Sequence, residues 1–296
     1  MENLYVATIG FFDGVHRGHQ CLVSQVCELA HKLGKQSLLI TFDRHPRQVL
    51  HADYVPQLLS TLEEKNTLLK KSCVDRIEVL PFTHELSKLT ALQFMQKVLR
   101  TQLNVGTLVM GYDHHFGNGG GTFSEYVDWG KQAHIDVVLA HELEDEKVSS
   151  SAIRSLLLRG DVKRANQLLG YSYSLQGMVV SGHQMGRLIG FPTANVEVEA
   201  EKLLPACGVY AVRATVDDAP YDGMLCIGHR PTMHNGDDIS IEANLFGFCG
   251  DLYGKQITLS LTDRLRDEKP FSSVHALQLQ LEQDARLAKE ILSKTV

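Results

Sequence analysis

Two stretches of this sequence gather residues suited to handling phosphate. The first is GFFDGVHRGHQ, Gly10–Gln20, directly after the apolar run Leu4–Ile9. Glycine lets a backbone turn tightly and approach a ligand closely. A helix beginning near His19 would point free N–H groups and its dipole at whatever sits there, which favours an anion. His16 and His19 fall on the same turn and can donate hydrogen bonds to phosphate oxygens. Fixed donors stabilise the charge that builds on such oxygens during group transfer. The other reading is a glycine-rich turn with two surface histidines. A metal reading is weaker, because no third His, Cys or carboxylate stands nearby at a ligand spacing.

The second stretch is GHQMGRLIGFPTAN, Gly182–Asn195. Gly182, Gly186 and Gly190 can shape a loop whose backbone cradles phosphates, and Arg187 adds positive charge. Thr193 and Asn195 lie two apart, so in an extended segment they face the same way. A hydroxyl and an amide oxygen are hard ligands that can help bind Mg2+, with nucleotide phosphates supplying the rest. There is no GK[ST], so this is not a Walker A loop, and a hairpin turn is the alternative. Glu242 sits in an apolar run with Ile239, Ile241, Leu245 and Phe246. A carboxylate so placed can take a proton from an alcohol attacking phosphorus; otherwise it is a strand carboxylate facing solvent. GYDHHFG, Gly111–Gly117, and SSSAIR, Ser149–Arg154, are lesser signals. The first reads as a loop with His114 and His115 exposed. The second opens a helix, and Arg154 near its start can hold phosphate.

Elements must bring these residues together. Leu4–Ile9, Ser37–Phe42, Val105–Met110 and Ile135–Ala140 read as buried strands. Leu22, Val23, Val26, Ala30 and Leu33 recur at helical spacing, and Gly34 closes that helix. Apolar strands alternating with helices imply a parallel sheet covered on both faces, with ligands at the strands' carboxyl ends. The unusual residues follow Ile9, Phe42 and Met110. Residues 149–170 read as helical, and Gly170 marks the domain boundary. Beyond it come short β runs: Gly177–Val180, Val209–Thr215, Gly223–Ile227, Ser240–Phe248 and Gln256–Leu261. Turns are expected at Asp217-Asp218, Asn235-Gly236 and Cys249-Gly250. That pattern suggests a small barrel or sandwich. Val274, Leu277, Leu281, Ala285, Ala288 and Leu292 form one apolar stripe on a last helix.

The 296 residues suffice for two domains at about 100–200 residues each. A 44% apolar and 22% charged composition is that of a soluble globular protein. The net charge of -6 disfavours nucleic acid and anionic membranes as partners. Cys21, Cys27, Cys73, Cys207, Cys226 and Cys249 include no C-x-x-C pair. Their apolar settings suggest free thiols in a reducing compartment, and the cytoplasm is the expected location. The short first run, flanked by Glu2 and Asp13, argues against a secretory leader, and no uncharged apolar run reaches the roughly 18–20 residues that span a bilayer.

GFFDGVHRGHQ, TFDRHP at Thr41–Pro46, GYDHHFG and VSSSAIR, in that order, resemble the adenylyltransferase module of the bifunctional riboflavin kinase/FAD synthetase family over about residues 5–160. GHQMGRLIGFPTAN is similar to that family's kinase signature. GVYAV at Gly208–Val212, IGHRPT at Ile227–Thr232, IEANLF at Ile241–Phe246, GDLYG at Gly250–Gly254 and DRLRDEKPF at Asp263–Phe271 follow in order. The resemblance implies an α/β chain. Residues 1–170 would form a doubly wound, Rossmann-like HxGH nucleotidyltransferase (FMN adenylyltransferase) domain. Residues 171–296 would form a small antiparallel riboflavin kinase barrel with a terminal helix. Riboflavin and ATP with Mg2+ would give FMN, and FMN and ATP would give FAD and pyrophosphate. The resemblance makes His16, Gly18 and His19 hold the ATP phosphates, with Ser150 and Arg154 in support. Gly10, Phe11, Asp13, Asp113 and Phe116 would line the nucleotide region. Glu242 becomes the general base, Thr193 and Asn195 the metal ligands, and Arg266 a flavin-side residue. Many members have Asn at Phe11, a basic stretch at Asn118–Gly121, His at Asn244 and Asp at Cys249. The alternatives are a kinase whose first domain is a weak or regulatory nucleotidyltransferase relative, and a non-enzymatic flavin- or nucleotide-binding regulator. The expected partners are small-molecule substrates only, on a monomer or weak homo-oligomer.

Overall fold

The computed structural model describes residues 4–50, 56–112, 114–143, 147–182, 186, 189–229 and 239–294. The chain divides into two compact units, Met1–Ser150 and Ser151–Val296. The first is built on a five-stranded parallel sheet. Its strands are β1 (Tyr5–Ile9), β2 (Ser37–Phe42), β3 (Arg76–Leu80), β4 (Val105–Met110) and β5 (Asp136–Leu139), in the order β3-β2-β1-β4-β5. β2 and β4 flank β1, so the winding reverses there, and the carboxyl ends of β1 and β4 border the crevice where α/β sheets bind ligands. Four of these strands were expected. β3 was not, because RIEVL is a partly charged, half-exposed edge strand and carries no continuous apolar run.

Alternation along each strand feeds two layers. Ala7, Ile9, Leu38, Ile40, Leu108 and Met110 pack on one face, under α5 (Ala91–Phe94), the π-helical turns Met95–Gln102 that continue it, and α6 (Phe123–Ala133). Val6 and Val109 face Val26 and Ala30 of α1 (Arg17–Lys32) on the other. α1 stops where the sequence indicates: Gly34 adopts φ 63°, and the Lys35 N–H returns to the Ala30 carbonyl at 2.9 Å. Between β2 and β3 run α2 (Pro46–Val49) and α3 (Leu62–Lys70), and α4 (His84–Ser87) follows β3. The expectation of six free thiols is corrected here. Cys27 on α1 and Cys73, just past α3, form a disulfide across 46 residues, and the other four cysteines are free. Helix packing brings this pair together, which spacing along the chain does not reveal.

The second unit contains a closed six-stranded barrel, β10-β7-β6-β11-β8-β9, with every neighbouring pair antiparallel. The strands are β6 (Ser174–Val180), β7 (Ala194–Val198), β8 (Gly208–Val216), β9 (Ala219–His229), β10 (Ile239–Leu245) and β11 (Gln256–Arg266). Asp217 and Asp218 both take left-handed φ, 48° and 63°, in the two-residue turn joining β8 to β9. The expected Asn235-Gly236 turn lies outside the described residues. α7 (Ser150–Leu158) and α8 (Val162–Leu169) precede the Gly170 boundary read from the sequence, yet they pack with the barrel. The Asn166 amide donates to the Leu261 carbonyl at 2.8 Å, and the Ala206 N–H to Leu157 at 3.0 Å. The last helix, α9 (Val274–Lys294), sets Ala288 and Leu292 on Ala211 and Met224. Its apolar stripe is shorter than expected: Val274 is 61% exposed, and the carboxylate of Asp284 is buried within the stripe.

Candidate active sites

The first site forms where β1 ends. His16 is the N-cap of α1, and its Nδ1 accepts the His19 N–H at 3.3 Å. Accepting at Nδ1 leaves the neutral ring's proton on Nε2. The two imidazoles stack at 3.6 Å and 15°. Gly18 permits this, because a Cβ there would stand 3.3 Å from the His16 ring. His114, from the loop after β4, joins them electrostatically. Burial first, then His16 and His114, holds the His19 pKa well below the usual histidine range. Burial, then His115, lowers His114 to about 4. Both rings are therefore neutral near pH 7, offering N–H groups rather than charges to an anion. The expectation that His114 is exposed is corrected: it is half-buried beside β4, while His115 is exposed.

The remaining first-site residues divide by where they point. Ser150, the last residue of the first unit, donates its hydroxyl to the Asp13 carbonyl of the histidine loop at 3.0 Å. Arg154 follows one turn along α7 and is half-buried. The Asp13 carboxylate turns inward and accepts from the Leu59 and Ser60 N–H groups, each at 3.1 Å. Its geometry shapes the loop and does not open toward a ligand. Gly10 anchors the strand end, donating to the Ile40 carbonyl at 3.0 Å. The Phe11 ring lies edge-on to His45 of TFDRHP at 4.9 Å, with the Lys65 ammonium 4.1 Å from its centroid. Phe116 packs against Phe94 and Tyr126, and Tyr126 Oη bonds both its N–H and its carbonyl. Asp113 lies outside the described residues.

In the second unit, strand register builds the site. Glu242 pairs directly with Asn195 on β7 and Cys226 on β9; Cys226 pairs with Val209 on β8, and Val209 with Arg266 on β11. Directly paired residues share a face. Ile241 and Ala243 fill the barrel, 6% and 1% exposed, so Glu242 and its row stand on the outer wall. Thr193 donates its hydroxyl to Glu242 Oε2 at 3.2 Å. The residues expected to form a base and a metal site thus stand together. Gly182 leaves space for the Asn195 amide, which a Cβ would overlap. The Gly186 carbonyl accepts from the Phe191 N–H at 2.9 Å, and Gly190 takes φ 80°, together closing the loop before β7. Asn244 donates to the Pro192 carbonyl at 2.7 Å and fastens the same segment. Arg187 lies outside the described residues. Burial, reinforced by Glu268 and Glu242, pushes the Cys226 thiol up to about 11, so no thiolate forms beside the carboxylate.

Arg266 is already engaged. Its Nε donates to both Asp284 oxygens, at 3.1 and 2.9 Å, and Nη2 reaches Oδ2 at 2.8 Å. Its guanidinium carbon lies 5.6 Å from the Phe271 ring centroid. Asp284 is 3% exposed and also accepts from Gln280. The sequence reading missed Asp284, although an acid inside an amphipathic helix's apolar stripe was a usable signal. Lys65 was missed too, and nothing in LEEKNTLLK distinguishes it from a surface lysine. Among the described residues, no three His, Cys, Asp or Glu side chains gather as a metal cage, and no helix is long and apolar enough to cross a membrane.

One unit carries an HxGH loop at the switch point of a parallel sheet, and the other a barrel wall with Asn195 and Glu242 in register and Thr193 bonded to that glutamate; together they define a two-module phosphate-transfer enzyme. Residues 2–152 match the FAD synthetase family and residues 169–292 the riboflavin kinase family. The chain belongs to the family of bifunctional riboflavin kinase/FMN adenylyltransferases. The Listeria monocytogenes member is 35% identical over 98% of this chain and 93% of its own length. The Bacillus subtilis member is 36% identical over 96% and 91%, and the Escherichia coli member 34% over 98% and 93%. A crystal structure from Streptococcus pneumoniae, titled a macrolide-efflux protein, superposes with a TM-score of 0.88 at 32% identity, covering 98% of this chain and 95% of that one.

Proposed function

We propose that the barrel unit transfers the ATP γ-phosphate to the riboflavin 5′-hydroxyl, giving FMN, and that the sheet unit transfers AMP from a second ATP to FMN, giving FAD and pyrophosphate. The observation that carries the first step is the Thr193–Glu242 contact with Asn195 directly across the ladder. Glu242 takes the proton as the alcohol oxygen attacks phosphorus. Thr193 and Asn195 present hard oxygen atoms beside a carboxylate, a donor set that fits Mg2+ shared with nucleotide phosphates. The ion would offset phosphate charge. Gly182, Gly186, Arg187 and Gly190 form the phosphate loop, and Arg266, aimed by Asp284, borders the flavin.

In the second step the FMN phosphate attacks the α-phosphorus directly, so no protein nucleophile is required. His16, Gly18, His19 and the amino end of α1 hold the phosphates of ATP, supported by Ser150 and Arg154. Gly10, Phe11, Asp113 and Phe116 form the surrounding nucleotide region, and Asp13 shapes the histidine loop from within. We assign the adenylyltransferase to residues 1–170 and the kinase to 171–296, in a cytoplasmic monomer or weak homo-oligomer that takes small-molecule substrates and no nucleic acid. The test is product analysis from riboflavin, ATP and Mg2+, resolving FMN from FAD over time. FMN should rise first and FAD follow; FMN accumulating without FAD would favour the kinase-only alternative. The match of the first unit to FAD synthetases weighs against that alternative.

A further inference from the structure

The loop that presents the first site's histidines adopts a conformation its own residues disfavour. Phe12 has φ 55°, Gly14 φ 75° and Val15 φ 37°. Only the glycine suits the left-handed region, and a β-branched residue there is a genuine outlier. Such a conformation persists only where its surroundings over-determine it. His16 follows Val15 directly, so the turn sets where the imidazole and the first N–H groups of α1 point.

One short segment supplies the restraint. Ser60 Oγ accepts the Gly14 N–H at 3.0 Å and donates to Asp13 Oδ1 at 3.4 Å. The Leu59 and Ser60 N–H groups hold both oxygens of the same carboxylate. Lys65 Nζ donates to the Phe11 carbonyl at 3.2 Å and to the Phe42 carbonyl at 2.8 Å, which ties the end of β1 to the end of β2. Ser60 is 3% exposed and Lys65 2%. A buried ammonium in that position is unusual, because lysines are almost never fully buried without partners. Between the two, Thr61 and Glu64 close a reciprocal capping box at the start of α3, at 3.2 and 2.9 Å. The box satisfies two donors at the start of α3 and fixes where the chain enters that helix. Leu69, one turn beyond Lys65, packs with the buried rings and methyls of Phe12 and Val15.

We propose that Ser60 and Lys65 are positioning residues for adenylyl transfer, holding Phe12, Gly14 and Val15 in the positive-φ conformations that aim His16 and the amino end of α1 at the ATP phosphates. Neither touches the reacting atoms. Ser60 acts through Asp13 and Gly14, and Lys65 acts through the carbonyl that precedes Phe12. The proposal rests on the reading of this unit as the adenylyltransferase.

The experiment compares Ser60→Ala, Lys65→Met and Leu69→Val in the full chain. Leu69→Val thins the same packing but removes no hydrogen bond to the loop. Three quantities are read: kcat and KM for FAD formation from FMN and ATP, riboflavin kinase activity of the same preparation, and the imidazole 15N signals of His16. Ser60→Ala should lower the adenylylation kcat about tenfold, and Lys65→Met about a hundredfold. KM for FMN and the kinase activity should stay within about twofold, since neither residue reaches the barrel chemistry. The 15N signature of an accepting His16 Nδ1 should weaken in both variants. Leu69→Val should lower the Tm and leave kcat unchanged. Retention of kcat and of the His16 signal in Ser60→Ala overturns the proposal, as does parallel loss of both activities. Should Lys65→Met fail to fold, Ser60→Ala decides alone. A wild-type chain making no FAD would defeat the functional reading, and the His16 15N comparison would still decide whether the brace sets the loop.

Discussion

The two units prepare for phosphate chemistry by different routes. In the sheet unit the working groups hang from an irregular, strained turn whose polar atoms are sealed into the scaffold, with Asp13 4% and His16 5% exposed. In the barrel unit they stand on a regular ladder, where antiparallel register alone sets Asn195, Glu242 and Cys226 in a row. An irregular loop needs buttresses from distant segments, here Ser60, Lys65 and Ser150. A ladder needs only its own hydrogen bonds and the period of two. Damage near the first site should therefore spread through the loop, while damage at the second should stay local.

The sharpest test of that separation is Glu242→Gln. It should lower FMN formation by about a thousandfold, the scale of a lost general base, while FAD synthesis from supplied FMN continues. Loss of both activities together would show that the sites are not independent. His19→Ala is the mirror experiment. It should reduce FAD formation about a hundredfold, with kinase turnover unchanged in a coupled assay, because a preorganised donor is lost. Asp284→Asn probes whether the barrel site also has a buttress. Breaking its buried pair with Arg266 should destabilise the barrel by about 3 kcal/mol in urea titrations and raise KM for riboflavin more than it lowers kcat.

The smallest expected effect is a pH dependence confined to the sheet unit. His19 and His114 are held below the ordinary histidine pKa, so between about 6.5 and about 4 the unfolded chain binds protons that the folded chain refuses. Stability contributed by these rings is present above that window and is lost as the pH falls through it. The Tm of the sheet unit should decline over that range, and His114→Phe should flatten the decline. An equal decline in both units would remove the histidines as its cause.

Much of this molecule was legible before any coordinates. The strands Tyr5–Ile9, Ser37–Phe42 and Val105–Met110 are buried on both faces, and continuous apolar runs announce such strands. Five of the six barrel strands announced themselves through their turns. The edge strand Arg76–Leu80 did not, because half its side chains meet water. β7 was not among the expected β runs, because its first residues belong to the PTAN motif, where only a short extended segment was read. The site residues divide the same way. Thr193, Asn195 and Glu242 have a chemistry visible in their types and spacing. Lys65, Ser60 and Asp284 look ordinary in sequence and matter only through what they reach.

By itself, then, the sequence determined the two modules, the chemistry each would perform, and the side chains suited to touch phosphate, because residue type and short-range period carry that information. Tertiary structure decided which of those side chains come together and which turn inward. Asp13 turned from the nucleotide toward Leu59 and Ser60, His114 moved from an exposed loop to the side of His19, and Cys27 found Cys73. Each outcome depends on contacts between segments far apart in the chain. Packing and desolvation set such contacts, and no local pattern of residues encodes them.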